Sequence, residues 1–473
     1  MNTIVERNFA NPIKNIYNKL YELNKRRKEN MDSDEPFTNE MEEINYTKIF
    51  FTDINGRVMS LSVNYNNMDK IFENGVGFDG SSIAGYATVE QSDRLLYPIM
   101  DSFQKVRFDN EKVGFFIGEI KDEHGHRAQA DPRAVLENVL KDAENEFGYR
   151  FITGPEHEFF LLSGDEFNLT DGDFGEEVHS DKAGYFHSTP HDKGEFIRNK
   201  IIEVLQECGI NFEKAHHEVT PSQHEINLEP VDPIKAADRT ILFTYVSQKV
   251  AVKHGYYVTF MPKPFDGLNR NALHIHLSMQ DQSGKNLFYD ENTDCNLSQI
   301  AKYFIGGILK YARETSIIMA STFNSYKAYI ADREAPIVRG WGFRNRSSMV
   351  RVPYSISPSN TRIELRNPDP GGNIYLQLAA YIAMGLQGIR EKIDCGKADI
   401  KSCYETEQNN KVWNTTFLPK SLFEALVEAE KSTFLKELLG DRLYNNFMKL
   451  KIDDWEDHRT HITPREHKKY LNI

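Results

Sequence analysis

Alternating apolar and polar positions near the start of the chain predict a β-hairpin. Two such runs, TKIFFTD (47–53) and RVMSLSV (57–63), flank Ile54-Asn55-Gly56, and Asn-Gly is a preferred turn dipeptide between paired strands. A Gly/Ser-rich loop at 76–86 and an apolar strand at 113–120 follow. Together these segments predict a compact α+β unit with an exposed loop.

Helical patterns lie on both sides of this unit. Residues 12–29 predict a helix, which the acidic, proline-containing stretch 31–43 ends. The segment 124–133 (HGHRAQADPR) is typical of a domain boundary, and a helix then begins with Pro132 in its first turn. Two later helices are predicted, one by the stripe Ile197, Ile201 and Leu205 and one from Pro233 to His254. The Asp- and Gly-rich segment 163–183 is long for a loop in a compact domain, so we expect it to border an active site.

Composition narrows the class of protein. A chain of 473 residues predicts two to four domains, or one large domain with an appendage, and its 40% hydrophobic content suffices for a packed core. The sequence has no apolar run of about 20 residues, which argues against a membrane span. The N-terminus carries charges throughout and lacks the apolar core of a secretory signal, so we expect a soluble, cytoplasmic protein.

Charge and cysteine content exclude further classes. A net charge of -13 disfavours binding to nucleic acid or to anionic membranes, although it does not disfavour binding of a nucleotide. The four cysteines show no zinc spacing and are too few for a disulfide framework.

Four short segments carry residue types that bind divalent metals. They are GPEHEFF, HHEVTPSQHEI, NALHIHLS and TRIELR, and they contain the candidate ligands Glu156, Glu158, Glu218, Glu225, His274 and Glu364. Residues two apart on a strand share a face, so E-x-E, H-x-H and R-x-E-x-R can each direct polar groups to one side. Oxygen-rich ligands suit Mg²⁺ or Mn²⁺, and arginines beside a metal carboxylate suit a phosphate.

Each motif alone has a simpler interpretation. An E-x-E pair is most often a solvated strand face, and single histidines usually satisfy local hydrogen bonds. The four segments, however, lie within or beside apolar runs, where charges are costly unless they are paired or bind a metal. This context favours a two-metal site.

Taken in order, these segments and several others resemble glutamine synthetase of the bacterial and archaeal type I class. The further blocks are FDGSSIAG, GYFHSTPHDKG, TFMPKP, NSYK…EAP, RNRSSMVRVP and NPDPGGNIYLQLAA, and the resemblance extends from about residue 48 to the C-terminus. It implies an α+β fold, with an N-terminal β-grasp-like domain (1–127) and a larger catalytic domain (128–473) whose curved antiparallel sheet is flanked by helices. It also implies a homododecamer of two stacked hexameric rings, with active sites between neighbouring subunits.

The resemblance implies a role for each matched residue. Glu158, Glu218 and Glu225 would bind the first Mg²⁺ or Mn²⁺, and Glu156, His274 and Glu364 the second. Ammonium would contact Asp79, Ser82, Tyr185 and Glu218, with Asp79 removing its proton. Glu334 would close the site, and Arg346 would stabilise the transferring phosphoryl group. ATP would contact Glu213, His276, Ser278, Arg351 and Arg362, and the amino-acid substrate Asn269 and Arg366.

This chain departs from the family mainly around the amino-acid pocket. Arg270 stands where the family has a glycine, and Ala328 where it has an arginine. The flap has Ala331-Asp332 in place of Pro-Gly, Gln91 replaces a common glutamate, and Ser222 replaces a common glycine between two metal carboxylates. Two explanations are open: Arg270 supplies the guanidinium that Ala328 lacks, or the acid is not plain glutamate.

Three hypotheses follow. The first is an ATP-dependent glutamate–ammonia ligase that forms glutamine through γ-glutamyl phosphate. The second is a related ligase that amidates another acid or uses another small amine, although an anionic Asp79 suits ammonium better than a bulky amine. The third is a non-catalytic scaffold, which has no need of a buried cluster of mutually repelling carboxylates.

Overall fold

The computed structural model describes residues 44, 46–108, 111–122, 124–164, 178–330, 334–355, 357–404 and 416–473. The helix predicted at 12–29, the flap pair Ala331-Asp332 and most of the predicted loop 163–183 lie outside these residues. The described part contains two β-sheets and ten α-helices.

The first sheet lies in the N-terminal part of the chain and has six strands. They are β1 (Tyr46–Thr52), β2 (Val58–Val63), β3 (Val76–Asp79), β4 (Asp93–Pro98), β5 (Gln104–Phe108) and β6 (Glu111–Lys121). The order is β2-β1-β6-β4-β3, with β5 also on β6, and β1 and β6 run parallel.

The predicted hairpin is confirmed. Strands β1 and β2 pair antiparallel from Thr47 opposite Val63 to Thr52 opposite Val58. Gly56 takes a φ of +92° in the turn, and the Asp53 carboxylate accepts a hydrogen bond from the Arg57 backbone N–H. A glycine is required here because a residue with a Cβ is strained at that φ.

The second sheet holds the candidate ligands and has eight strands. They are β7 (Arg150–Ser163), β8 (Phe212–His217), β9 (Gln223–Leu228), β10 (Tyr256–Thr259), β11 (Leu273–Gln280), β12 (Trp341–Phe343), β13 (Val350–Val352) and β14 (Ile363–Leu365). The order is β12-β13-β14-β11-β7-β9-β8, with β10 also on β7. All pairs are antiparallel except the short edge pair β12–β13, so the predicted antiparallel sheet is confirmed with one parallel pair at its edge.

Helices pack against both sheets, and the predicted proline in the first turn of the helix at 132 is confirmed. They are α1 (Met68–Asn74), α2 (Pro132–Phe147), α3 (Glu195–Glu207), α4 (Pro233–Lys253), α5 (Gln299–Tyr311), α6 (Ser316–Met319), α7 (Ile374–Glu391), α8 (Leu422–Glu430), α9 (Thr433–Thr460, with non-helical backbone at Gly440) and α10 (Pro464–Tyr470). Asp131 and Asp232 cap α2 and α4 by accepting a backbone N–H, and a proline follows each of them. Among the described helices, none combines the length and apolar character needed to cross a bilayer.

One continuous apolar core joins the two parts of the chain. It includes Phe50 and Phe115 of the first sheet together with Phe243 of α4 and Leu376 of α7, all essentially inaccessible to solvent. Polar contacts add to it: the Asn373 amide, at the start of α7, donates to the Thr52 hydroxyl. The boundary between residues 127 and 128 stays a prediction.

Candidate active site

Strand register brings the candidate ligands together in three rows across the second sheet. In the first row Arg351, Glu364 and His276 lie opposite one another on β13, β14 and β11. The second row contains His274, Glu156, Asn227 and Lys214 on β11, β7, β9 and β8. The third contains Glu158, Glu225 and His216 on β7, β9 and β8. The predicted sharing of one strand face is therefore confirmed for E-x-E and H-x-H.

The strand residue between the two glutamates shows why this face is polar. His157 points to the opposite face, where its Nε2 lies 3.0 Å from the Thr240 hydroxyl on α4 and its ring packs against Phe243. Because alternate residues of β7 face the helix, Glu156 and Glu158 face away from it, as the strand geometry requires.

Glu156 and Glu364 lie among cationic and hydrogen-bonding groups. His274 Nδ1 and His276 Nε2 donate to the Glu156 carboxylate over 3.1 and 3.0 Å. Burial opposes ionisation of both carboxyls. His276 and His274 nevertheless hold the pKa of Glu156 well below its usual range, and Arg366 and His276 lower that of Glu364.

Glu158 and Glu218 have the opposite character. Burial, reinforced by the nearby Glu225 carboxylate, raises the pKa of Glu158 to about 8. Burial and the charges of Glu158 and Glu225 raise the pKa of Glu218 to about 9. Carboxylates that repel one another in a buried site need a proton or a cation to offset their charge.

Arginines border the Glu364 side of the site. Arg351 and Arg366 both form ion pairs with Glu364. Arg362 Nε donates to His276 Nδ1 over 3.1 Å, and therefore the other ring nitrogen of His276 is the one that donates to Glu156. This side can bind an anionic group next to a metal carboxylate.

Other predicted residues occupy the edges of the site. Tyr185 is 42% exposed, and after burial the neighbouring Glu218 carboxylate is the main cause of its raised pKa. Glu334 has a φ of +57° and adds to the negative charge that acts on Glu158 and Glu218. Arg346 is exposed, and its charge acts on Tyr185.

Two predicted ATP-side residues differ in position. Ser278 shares the face of His274 and His276 on β11. Glu213 is exposed at the irregularity in pairing between β8 and β9. Ser278 therefore lies on the same face of the sheet as the three rows, whereas Glu213 lies at the edge of the rows, on β8.

Asp79 and Ser82 lie together but apart from these rows. Asp79 ends β3 in the first sheet, and its carboxylate accepts hydrogen bonds from the Ser81 and Ser82 hydroxyls over 2.6 and 2.7 Å. Those hydroxyl bonds lower its pKa. In the described residues, no contact joins this exposed carboxylate to Glu218 or Tyr185 of the same chain.

The predicted residues of the acid side are largely buried. Arg270 is 2% exposed, and its guanidinium donates to the backbone carbonyls of Arg366 and Asn367. Its charge also acts on the fully buried Asp369. Burial raises the pKa of the Asp369 carboxyl to about 6. Asn269 is half-buried beside it, and Ala328 is fully buried at the end of a short 3-10 helix.

Sequence reasoning missed three polar residues of the site. His216 lies 3.4 Å from Glu218 and 3.3 Å from Glu225. Gln223 donates its amide to Glu158 over 3.1 Å, and Lys214 lies 3.5 Å from Glu156. The available signal was the alternation of Lys214 and His216 along β8, continued by Glu218 just after the end of that strand.

Comparison with known proteins agrees with this geometry. The model of the "Glutamine synthetase, catalytic domain" family matches residues 129–470, and that of the "Glutamine synthetase, beta-Grasp domain" family matches 43–123. Glutamine synthetase of Thermotoga maritima is 37% identical over 92% of this chain and 98% of its own length. That of Methanosarcina mazei is 36% identical over 91% and 95%.

Solved structures show the same fold. The structure titled "GmaS/ADP complex" has a TM-score of 0.81 and 28% identity, covering 91% of this chain and 97% of its own. Plasmodium falciparum glutamine synthetase has a TM-score of 0.78 at 23% identity, covering 93% and 100%, which shows the fold alone. With both family models and nearly full-length relatives in agreement, the chain belongs to the glutamine synthetase family of carbon–nitrogen ligases.

Proposed function

We propose that this chain is an ATP-dependent glutamate–ammonia ligase that forms glutamine through γ-glutamyl phosphate. The observation that carries the proposal is the set of three rows across the second sheet, in which buried carboxylates alternate with imidazoles and arginines. This arrangement offers oxygen-rich metal ligands directly beside groups that bind phosphate.

The residues fit two divalent cations, Mg²⁺ or Mn²⁺. Glu158, Glu218 and Glu225 are buried with like charges that a cation would offset, and His216 lies among them. Glu156, His274 and Glu364 form the second set, with His276 within reach of Glu156 and Glu364. When bound, such ions offset the charge that develops on a transferring phosphoryl group.

The first step proceeds on the arginine side of the site. Arg351, Arg362, His276, Ser278 and Glu213 contact ATP. An oxygen of the glutamate γ-carboxylate attacks the γ-phosphorus, ADP leaves and an acyl phosphate forms. Arg346 stabilises the charge of the transferring group, since preorganised cations act most strongly in a site from which water is excluded.

The second step requires ammonia rather than ammonium. Asp79, Ser82, Tyr185 and Glu218 surround the cation, and the Asp79 carboxylate accepts its proton. Ammonia then attacks the acyl carbon, the bond from that carbon to the phosphate oxygen breaks, and the leaving phosphate takes the proton that the nitrogen loses. Hydrogen bonds from Ser81 and Ser82 favour the ionised form of Asp79, which suits a base. Glu334 helps to close the site, because water would hydrolyse the acyl phosphate.

Asn269, Arg270 and Arg366 form the acid side of the site. Arg270 lies beneath Arg366, and its Nε has no hydrogen-bond partner among the described residues. We propose that Arg270 supplies positive charge to the acid pocket in place of the arginine that Ala328 replaces.

We further propose that the active enzyme is a homododecamer of two hexameric rings. The exposed Asp79 loop makes only local carboxylate hydrogen bonds in the described chain, and in an assembly it would reach the metal rows of a neighbouring subunit. Ammonium capture would then depend on assembly.

Substitution of single ligands tests the metal rows. Glu158→Gln and Glu364→Gln should each abolish Mg²⁺- or Mn²⁺-dependent ATP turnover while circular dichroism shows an intact fold. Glu203→Gln, on the exposed face of α3, is the matched control and should keep full activity. Full activity in either ligand variant would disprove the proposed site.

A further inference from the structure

Behind the metal carboxylates lies a second, fully buried cluster of ionisable side chains. Asp181, Asp192, His217 and His224 have ligand atoms within 4.8 Å of one another, and Arg198 of α3 lies among them. Each of the five is at least nine-tenths buried. His217 and His224 directly precede the metal carboxylates Glu218 and Glu225 in the chain.

Arg198 occupies the place that a cation would take in this cluster. Its guanidinium donates to His224 Nδ1 over 2.8 Å and pairs with Asp192 over 2.8 Å. His224 Nδ1 therefore already accepts a hydrogen bond, and its lone pair is not available to a metal ion. A guanidinium and a metal ion at one point would repel each other.

His217 joins Asp181 to the first of these metal carboxylates. Its Nδ1 lies 2.6 Å from the Glu218 backbone carbonyl, and its Nε2 lies 2.9 Å from Asp181 Oδ1. The imidazole ring therefore bridges the Asp181 carboxylate and the backbone of Glu218.

One oxygen of Asp181 connects three segments of the site. Oδ1 accepts from His217, from the Ser222 backbone N–H over 3.2 Å and from the Ala183 N–H over 3.1 Å. His217 precedes Glu218, Ser222 lies in the turn between Glu218 and Glu225, and Ala183 is two residues before Tyr185. The Ser222 hydroxyl in turn accepts from the Asp181 N–H.

Ser222 shows that this turn is held under strain. It is fully buried and has a φ of +63°, which a residue with a Cβ rarely adopts. Such a conformation persists only where the surroundings hold it, and here the two hydrogen bonds with Asp181 do so.

We propose that Asp181 is a positioning residue that fixes the metal carboxylates Glu218 and Glu225, within a cluster in which the Arg198 guanidinium takes the place of a metal ion. The inference rests on the metal role of those two glutamates in the proposed function. Asp181 acts through the β8–β9 turn and touches neither metal nor substrate.

Equilibrium binding of Mn²⁺ to the full-length protein, followed by electron paramagnetic resonance, tests the proposal. Asp181→Asn should weaken one of the two classes of bound Mn²⁺ by roughly 10- to 100-fold, the usual effect of losing a group that orients metal ligands. The other class should keep its affinity, because Glu156, His274 and Glu364 lie on strands that Asp181 does not contact. Asp281→Asn is the matched control, because the Asp281 carboxylate also accepts three hydrogen bonds in a turn, from Ser283 and Lys285. This substitution should change the Mn²⁺ affinity of neither class.

Three results would overturn the proposal. Unchanged binding of both classes would show that Asp181 does not position the carboxylates. Equal weakening of both, with a lowered melting temperature, would show a general structural role. A third tight Mn²⁺ in the unaltered protein that Asp192→Asn removes would show that the cluster itself binds metal.

If Asp181→Asn does not fold, His217→Gln replaces it in the same measurement. This substitution removes the imidazole ring that joins Asp181 to the Glu218 backbone carbonyl, while an amide N–H can still donate to Asp181. Absence of product in the unaltered protein would contradict the proposed ligase activity, whereas Mn²⁺ binding decides the role of Asp181.

Discussion

At the scale of single residues, the carboxylates of the site divide into two kinds. Glu156 and Glu364 are ionised by neighbouring histidines and arginines, whereas Glu158 and Glu218 have raised pKa values in the protein without metal. The first pair is ready to bind a cation, and the second must lose protons as the cation binds.

Stability without metal should therefore depend on pH. The folded-state pKa values of about 8 and 9 for Glu158 and Glu218 lie above the ordinary value of 4.5. Between these pH values the folded state binds more protons than the unfolded state. The stability that the two protonated carboxyls contribute is therefore complete below about pH 4.5 and is lost as the pH rises through 8 and 9. We expect the melting temperature of EDTA-treated protein to fall between pH 6 and 9, and to fall less in the double variant Glu158→Gln, Glu218→Gln. Parallel curves for the two proteins would contradict the assignment.

Arg270 gives a second prediction at this scale. Replacing it by glycine, the residue common in the family, removes a buried cation from beneath Arg366. A charge-assisted hydrogen bond is worth about 1.5–3 kcal/mol, so the apparent affinity for glutamate should fall roughly 10- to 100-fold. Arg107→Gly, at an exposed position of β5, should leave that affinity unchanged. Normal glutamate binding in Arg270→Gly would show that this guanidinium does not serve the acid pocket.

The shared strand face of Glu156 and Glu158, and that of His274 and His276, could be predicted from the sequence because side chains two apart on a strand point to one side. The burial of Arg270 could not be predicted, since it depends on the carbonyls of Arg366 and Asn367, nearly 100 residues away. His216 was overlooked because Glu218, two residues later, lies just beyond the end of β8, and this spacing is a weaker signal than E-x-E.

At the scale of elements, helices α5 and α7 pack with their backbones in close contact. Gly307 of α5 and Gly388 of α7 meet backbone to backbone: a Cβ on Gly307 would lie 2.0 Å from the Met384 carbonyl oxygen. Local patterns predicted the hairpin and the helices α2, α3 and α4, because a turn dipeptide, a proline in a first turn and an apolar stripe are all signals within short segments. They could not predict the parallel β12–β13 pair, because the pairing of three-residue strands is set by their neighbours.

Gly307→Ala should test this contact. In an open helix, alanine is favoured over glycine by about 1 kcal/mol, so a gain in stability would be expected from propensity alone. We expect instead a loss of about 1–3 kcal/mol, because the methyl group would collide with the backbone of α7. Thermal unfolding measures the change. Gly77→Ala is the control, since nothing lies within 4 Å of its added Cβ. Stabilisation by Gly307→Ala would show that the two helices do not pack this closely.

At the scale of the whole molecule, we propose that the reaction uses residues from two subunits. Asp79→Ala should lower amide formation by about 10²- to 10⁴-fold, the usual contribution of a general base, with little effect on ATP binding. Inactive Asp79→Ala and inactive Glu158→Gln subunits, mixed and reassembled, should regain part of the activity, because some sites would combine an intact loop with an intact metal row. Activity no higher than in either parent, in mixed oligomers verified by mass, would contradict a shared site.

The proposed intermediate can be followed through its oxygen atoms. The protein would be incubated with ATP, Mg²⁺, ammonium and glutamate labelled with ¹⁸O in its γ-carboxylate, and the products analysed by mass spectrometry. We predict equal amounts of glutamine and ADP, together with inorganic phosphate that carries one ¹⁸O from glutamate. Glutamine formation with unlabelled phosphate would contradict the acyl phosphate. Turnover of another acid or amine in place of glutamate and ammonium would contradict the proposed reaction itself.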